Sequence, residues 1–257
     1  MKKIFVVGGA GSIGSELSRQ LSKDNKVIVV DQDKFEEKDI ISEVCNVTDY
    51  AGLEKLFEKH RPDVVIHAAA YKYVAQYEKE FYAEIIAINI NGTINLVKLS
   101  KKYNVDKFVY ISTDKAVNPT SLMGTTKLVS EIITKRNGYV VVRFGNVIDS
   151  RGSVTQIWKK QVENGEPLTI TDDRMERYFM SIPEACQLVI KASEIGKSGE
   201  TLILDMGEPV KIIDMAKRFS DNIKIIGAKQ GEKLNEELMT ENEKEKAIKK
   251  DKYWIIP

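Results

Sequence analysis

An α/β fold built on a doubly wound parallel sheet is predicted by three features of the chain: short β-branched runs alternating with helical stripes, a glycine-rich turn directly after the first run, and a carboxylate closing the second. Residues 4–7 form a continuous apolar run, the pattern of a strand covered on both faces. Ile13, Leu17 and Leu21 then share one face of a helix over 13–21. A second buried strand over 27–30 ends in Asp31, and a third is expected over 41–47. Leu53, Leu56 and Phe57 stripe a helix over 50–60 that Arg61-Pro62 stops. Residues 64–67 make a fourth strand, and a long helix is expected within 83–103, with Ile86, Ile90, Leu96 and Leu99 among its apolar positions. Strands five and six, over 108–112 and 139–144, flank a helix around 122–135. Repeated strand–helix–strand order makes the sheet parallel, because each crossover returns the chain in the same direction. Past Gly145 the rhythm changes to a loop, a helix near 154–162 and short strands near 168–170 and 201–204.

Composition narrows the class. The 257 residues are 42% hydrophobic and 30% charged, which suits a soluble globular protein with a substantial core. Thirty-nine basic residues nearly cancel 38 acidic ones, so no basic stripe for nucleic acid is expected. No stretch has the length of a membrane span. The opening Met-Lys-Lys-Ile-Phe-Val-Val runs straight into glycines, so it reads as a first strand and not as a leader. Cys45, Cys186, His60 and His67 fit no metal-ligand spacing. Both thiols are expected free and buried in a reducing compartment, the cytoplasm. The mixed-charge run 241–252 reads as a solvated tail or helix face, and Trp158 and Trp254 as buried side chains of a small lobe.

Gly8-Gly9-Ala10-Gly11-Ser12-Ile13-Gly14 joins the first strand to the first helix. Glycines are required there for a tight turn and for close approach of a pyrophosphate, which the helix N-terminus then meets with free N–H groups. This is a Rossmann-type dinucleotide site, with Gly8, Gly11, Ser12, Ile13 and Gly14 at the phosphates. The spacing resembles that of short-chain dehydrogenase/reductases. Asp31 is placed to bind the adenosine ribose hydroxyls and to repel a 2′-phosphate, which favours NAD, while nearby Lys34 keeps NADP open. Asn46 and Val47, with Ala68, Ala69 and Ala70, are further cofactor candidates. Residues 1–145 are thus read as the dinucleotide-binding domain. Residues 146–257 are read as a smaller C-terminal substrate lobe, with some segments returning to the sheet.

After the fifth strand comes Ser112-Thr113-Asp114-Lys115, and then Met123-Gly124-Thr125-Thr126-Lys127 on a helix. Ligands of doubly wound sheets bind beyond the carboxyl ends of strands, so a hydroxyl, an acid and an amine face the site together. This stretch resembles the signature of the CapD-like polysaccharide-biosynthesis proteins, extended short-chain enzymes that are nucleotide-sugar 4,6-dehydratases. The likeness continues in order through His67-Ala-Ala-Ala-Tyr-Lys-Tyr-Val, Asn89-Ile-Asn-Gly-Thr, Arg143-Phe-Gly-Asn-Val, Ser150-Arg-Gly-Ser-Val, Arg177-Tyr-Phe-Met-Ser-Ile-Pro-Glu-Ala, Leu204-Asp-Met-Gly-Glu-Pro-Val and Gly231-Glu-Lys-Leu.

The resemblance implies a reaction in which the sugar 4-hydroxyl is oxidised, carbon 5 is deprotonated, water leaves carbon 6 and the hydride returns there. It implies Thr113 at the 4-oxygen, Asp114 as general acid, Lys115 as base at carbon 5, and Lys127 at the nicotinamide ribose. Lys72, Asn146, Arg151, Arg177 and Glu232 are the substrate-side candidates, the arginines because a planar fork suits a diphosphate. Relatives pair through the long helices beside the sheet, so a homo-oligomer is expected. Three departures stand out. Met123 occupies the place of the usual tyrosine, which leaves the 4-hydroxyl proton to Asp114 or to a water relayed by Lys127. The connection after Asp31 is short for the family, so one sheet-covering helix is expected to be missing. Lys229-Gln230 and Tyr73 replace the family's Arg-Pro and His. A 4-epimerase sharing the oxidation step, and a non-catalytic dinucleotide-binding sensor or scaffold, remain as alternatives.

Overall fold

The computed structural model describes residues 1–72 and 78–257, so Tyr73 and Val74 of the motif after His67 lie outside the described residues. The chain runs β1 (Lys3–Val7), α1 (Ser12–Leu21), β2 (Lys26–Asp31), β3 (Ile41–Val44), α2 (Tyr50–His60) and β4 (Val64–His67). It continues through α3 (Glu78–Ile86), a π-turn (Ala87–Asn91), α4 (Gly92–Lys102), β5 (Lys107–Ile111), α5 (Leu122–Arg136) and β6 (Val140–Arg143). Then follow β7 (Asn146–Val147), α6 (Val154–Glu163), β8 (Leu168–Ile170), β9 (Glu176–Arg177), β10 (Phe179–Met180), α7 (Ile182–Ile195) and β11 (Thr201–Leu204). The last elements are β12 (Val210–Lys211), α8 (Ile212–Ala216), β13 (Ile223–Ile225), α9 (Glu241–Lys246), β14 (Ile248–Lys250) and β15 (Tyr253–Ile256).

Nine strands form one sheet in the order β14-β15-β11-β6-β5-β4-β1-β2-β3. From β3 to β11 every pairing is parallel, whereas β15 and β14 add antiparallel edges. The order reverses between β1 and β4, and there Val7 pairs with both Val30 and His67. A crevice opens where the two flanking crossovers part to opposite faces, directly beyond Val7. The core strands are buried on both faces, which is why they read as unbroken apolar runs. One face packs on α1 and α7 through Leu17, Leu21, Leu188 and Val189, the other on α2 and α4 through Leu53, Phe57, Leu96 and Leu99. A third cluster, around Trp158, Leu168, Ile170, Met175 and Met215, holds the lobe formed by α6, β8 and α8.

Several expectations change. The third strand stops at Val44 and not at residue 47, because the chain turns at Asn46, whose Oδ1 accepts hydrogen bonds from the Thr48 backbone N–H and hydroxyl. No helix fills residues 32–40. Phe35 instead tucks into the core below the Arg19 guanidinium, and Arg19 pairs with Glu37 at 2.9 Å. The charged run 241–252 is not merely solvated: Thr240 caps α9 through a capping box, Glu243 pairs with Arg143, and β14 edges the sheet. Trp254 lies in β15 of the main sheet and not in the lobe, whereas Trp158 is fully buried there, its indole N–H donating to Thr169 O. No helix among the described residues is long and apolar enough to cross a membrane.

Candidate active site

The crevice at the end of β1 is built by the glycine turn. Gly8 has φ +84°, and a Cβ there would lie 2.4 Å from the Ala69 nitrogen. A Cβ on Gly14 would lie 2.2 Å from Gly8 O, so any side chain at either position would force the turn open. The freed space lies before the first turn of α1, where the N–H groups of Ser12, Ile13 and Gly14 lack intrahelical acceptors. Asp31 ends β2 beside this turn. Its Oδ2 accepts from Ala10 N at 2.9 Å and its Oδ1 from Asp33 N at 3.1 Å, leaving lone pairs for further donors. Gly8, Gly11, Asp31, Asn46, Val47, Ala68, Ala69 and Ala70 line one cleft, and a dinucleotide fits its donor set. Ala10, Gln32, Asp33, Cys45 and Ile88 line it too. Sequence reasoning missed these because only the strand ends bring them together. Cys45 is half-buried in that wall and not in the core, with its thiol pushed up by burial and by Asp49.

Two substrate-side candidates belong to this same cleft. Arg151 lines it, and its backbone N–H donates to Ser12 Oγ at 2.8 Å, while Lys72 Nζ donates to Arg151 O. The loop carrying Arg151 therefore lies over the glycine turn. It is held there from both sides.

A second pocket is lined by Lys115, Thr120, Ser121, Asn146, Arg177, Gly231, Glu232, Lys233 and Glu236. Thr113 caps a short turn over residues 114–116, and the Asp114 N–H donates to Phe144 O, so the residue just after β6 fixes the turn beyond β5. Asp114 is fully buried. Its Oδ1 accepts from Thr113 Oγ1 at 2.8 Å and Lys115 Nζ at 2.9 Å, and its Oδ2 has no protein partner. Lys115 also donates to Asn146 Oδ1 at 3.2 Å. Ser121 caps α5, and Met123 and Lys127 are buried in that helix without lining either pocket. Met123 is 3% exposed and offers a thioether where a proton carrier would stand. Lys127 is buried against the Tyr110 ring and donates to Ile111 O; burial brings its ammonium down to about 7, against the pull of Glu131. His67 is held neutral beneath, pushed down to about 3 by burial and by Lys127.

Arg177 lies in the pocket wall, but its guanidinium is turned into the 229–237 loop. It donates to the carbonyls of Glu176, Lys233 and Leu234 instead of presenting an open fork to a diphosphate. Glu232 accepts from its own loop at Lys229 N. Glu236 was not foreseen. It is 8% exposed, and its Oε1 lies 3.8 Å from Lys115 Nζ. Among the described residues no cluster of His, Cys, Asp and Glu could hold a metal ion.

Comparison with known proteins follows this geometry. The chain is 41% identical to the capsular polysaccharide biosynthesis protein CapD of Staphylococcus aureus over 94% of its length; it spans about half, 46%, of that longer relative. It is 34% identical to the UDP-N-acetylglucosamine 4,6-dehydratase (inverting) of Campylobacter jejuni, covering 99% of this chain and 82% of the other. Among solved structures, Pen from Bacillus thuringiensis superposes with a TM-score of 0.90 at 32% identity, covering all of this chain and 88% of that one. The polysaccharide biosynthesis protein family matches residues 4–257, and the chain belongs to it.

Proposed function

We propose that the protein is a nucleotide-sugar 4,6-dehydratase, acting on UDP-N-acetylglucosamine or a close relative in the making of a surface polysaccharide or glycan. The observation that carries this reading is the Asp114–Lys115 contact at 2.9 Å at the carboxyl end of β5, with Asp114 buried behind Lys115, which lines a polar pocket. A simple 4-epimerase has no leaving hydroxyl and no need of that acid. NAD, when bound along the glycine turn, supplies a hydride acceptor at sugar carbon 4 and a donor at carbon 6. Asp31 would take its ribose hydroxyls, and Lys34, three residues further on, is paired with Glu36 at 2.6 Å.

The side chains divide the proton work. Asp114 takes the proton of the 4-hydroxyl, with Thr113 at the 4-oxygen and Lys127 beneath as the alternative relay. The Lys115 amine takes the proton from carbon 5, made acidic by the new ketone, and Asp114 then protonates the departing 6-hydroxyl, which leaves as water. Lys115 returns its proton to carbon 5. Asp114 thus ends as it began, and the substrate loses one water. Asn146 orients the Lys115 amine.

Incubation with UDP-N-acetylglucosamine, followed by mass spectrometry, tests the assignment. Loss of one water supports it, an isomer of unchanged mass means an epimerase, and no turnover of any sugar nucleotide leaves a sensor. Asp114→Asn should abolish reduction of the bound nicotinamide, and full hydride transfer in that variant would remove Asp114 from the 4-hydroxyl step. A homo-oligomer fits the exposed Tyr82 and Ile86 of α3 and Ile132 of α5, whose helices touch. The reading puts the reaction in the cytoplasm, and the two free thiols support it.

A further inference from the structure

Lys115 holds a position that its assigned role makes awkward. A base at carbon 5 must be an amine with a lone pair, since an ammonium has three donors and no acceptor. Lys115 Nζ stands between two carboxyls, Asp114 at 2.9 Å and Glu236 at 3.8 Å. One proton must go elsewhere before the reaction starts. Asp114 is a poor recipient: its Oδ1 already accepts two hydrogen bonds, and its unpartnered Oδ2 is committed to the sugar's 4- and 6-oxygens.

Glu236 faces Lys115 from the opposite wall. Its Oε2 is buried without a hydrogen-bond partner, so the carboxyl that lines the pocket carries an unused proton site. The charged groups around it are otherwise engaged. Lys233 lies 3.6 Å from Oε2 but donates its hydrogen bond to Val117 O at 2.6 Å. The Arg177 guanidinium is given to backbone carbonyls, and Glu237 accepts from Asn118. Burial raises the Glu236 carboxyl above the usual carboxylate range; Lys115 pulls it down, Asp114 adds to the rise, and Arg177 and Lys233 lower it.

We infer that Glu236 is a positioning residue for the step at carbon 5, taking one proton from the Lys115 ammonium so that the amine is free to act as base. Lys115–NH3+ and Glu236–COO− become Lys115–NH2 and Glu236–COOH. The amine then accepts the carbon 5 proton as the C–H electron pair moves into the enolate. After the proton returns to carbon 5, Glu236 hands its own back to Lys115. The inference rests on the reading of Lys115 as the carbon 5 base. It has a distinctive consequence: a pair that shares one proton internally keeps the same fraction of amine over the pH range between its two titrations.

The test measures turnover of UDP-N-acetylglucosamine by the NAD-loaded protein from about pH 6 to about pH 9, in the wild type, Glu236→Gln, Glu236→Asp and Lys115→Met. For Glu236→Gln, turnover at neutral pH should fall roughly 100-fold and then recover about tenfold per pH unit as Lys115 deprotonates unaided. KM and the rate of the nicotinamide absorbance change on mixing should stay at wild-type values. Glu236→Asp should restore a flat profile. Wild-type turnover in Glu236→Gln, a loss equal at every pH, or a loss shared by the absorbance change each overturns the inference. Lys115→Met separates the two claims: if it still exchanges the carbon 5 hydrogen with heavy water, Lys115 is not the base. If exchange is lost in Lys115→Met while Glu236→Gln stays flat and fast, only the role of Glu236 falls. A wild type that turns over no sugar nucleotide overturns both.

Discussion

Lys127 is a cation placed where a cation is costly. It is 6% exposed, lies 4.3 Å from the Tyr110 ring centroid, and holds its proton only to about 7. The unfolded chain holds that proton up to the ordinary value of 10.5, so between about 7 and 10.5 the unfolded state binds more protons and stability rises with pH. Below that window both states are charged and the burial penalty is felt in full. Lys127→Met should therefore stabilise the fold at neutral pH by on the order of 1 kcal/mol, with the gain shrinking toward pH 10.5, while reduction of the nicotinamide is lost. Thermal melts across pH, set beside single-turnover absorbance, check both halves. Asp114, Lys115 and Lys127 stood out in the sequence through the family resemblance, on a strand end and a helix start. Glu236 did not, since it is one of many acidic residues in a charged stretch and acquires meaning only when the 229–237 loop closes over Lys115.

At the scale of elements, the continuous apolar runs located the sheet strands because burial on both faces leaves little room for polar side chains. The exceptions have local causes. The π-turn at Ala87–Asn91 leaves no trace in apolar spacing, yet it frees Asn89 O to accept from Ser130 Oγ at 2.8 Å. The Asn89 side chain meanwhile bonds the Tyr71 backbone and Thr126 Oγ1, which fixes the loop beside the cofactor cleft. The missing helix after β2 is replaced by a single aromatic. Phe35 covers the sheet flank, its backbone N–H bonded to Ser42 Oγ of β3 at 3.0 Å. Phe35→Ala should cost about 2–3 kcal/mol in denaturant unfolding and weaken NAD binding, because the same segment carries Gln32 and Asp33 of the cleft wall. Unchanged NAD affinity in a destabilised variant would mean that the cleft does not depend on this plug.

Across the whole molecule, the long segment between β13 and β14 is fastened at two arginines. Arg177 holds the carbonyls of Lys233 and Leu234. Arg143, buried in β6, binds Glu131 of α5 at 2.6 Å, Glu243 of α9 at 3.0 Å and Leu238 O at 2.9 Å. Removing the guanidinium strands a buried carboxylate, so Arg143→Met should destabilise by about 3–5 kcal/mol, and Arg143→Met with Glu131→Met by clearly less. Chemical denaturation of the two variants measures the difference. The sequence showed Arg143 within a motif but not its partner in α9, which lies 100 residues further along the chain.

That separation bears on how the molecule assembles. The parallel sheet closes over sequence gaps of at most 60 residues, at β1–β4 and β6–β11, whereas the Thr120–Gly231 contact in the wall of the second pocket and the Asn118–Glu237 contact span 111 and 119 residues. Such closures carry the largest entropic cost and come late. On refolding, the cleft at the glycine turn should therefore become able to bind NAD before the second pocket takes shape.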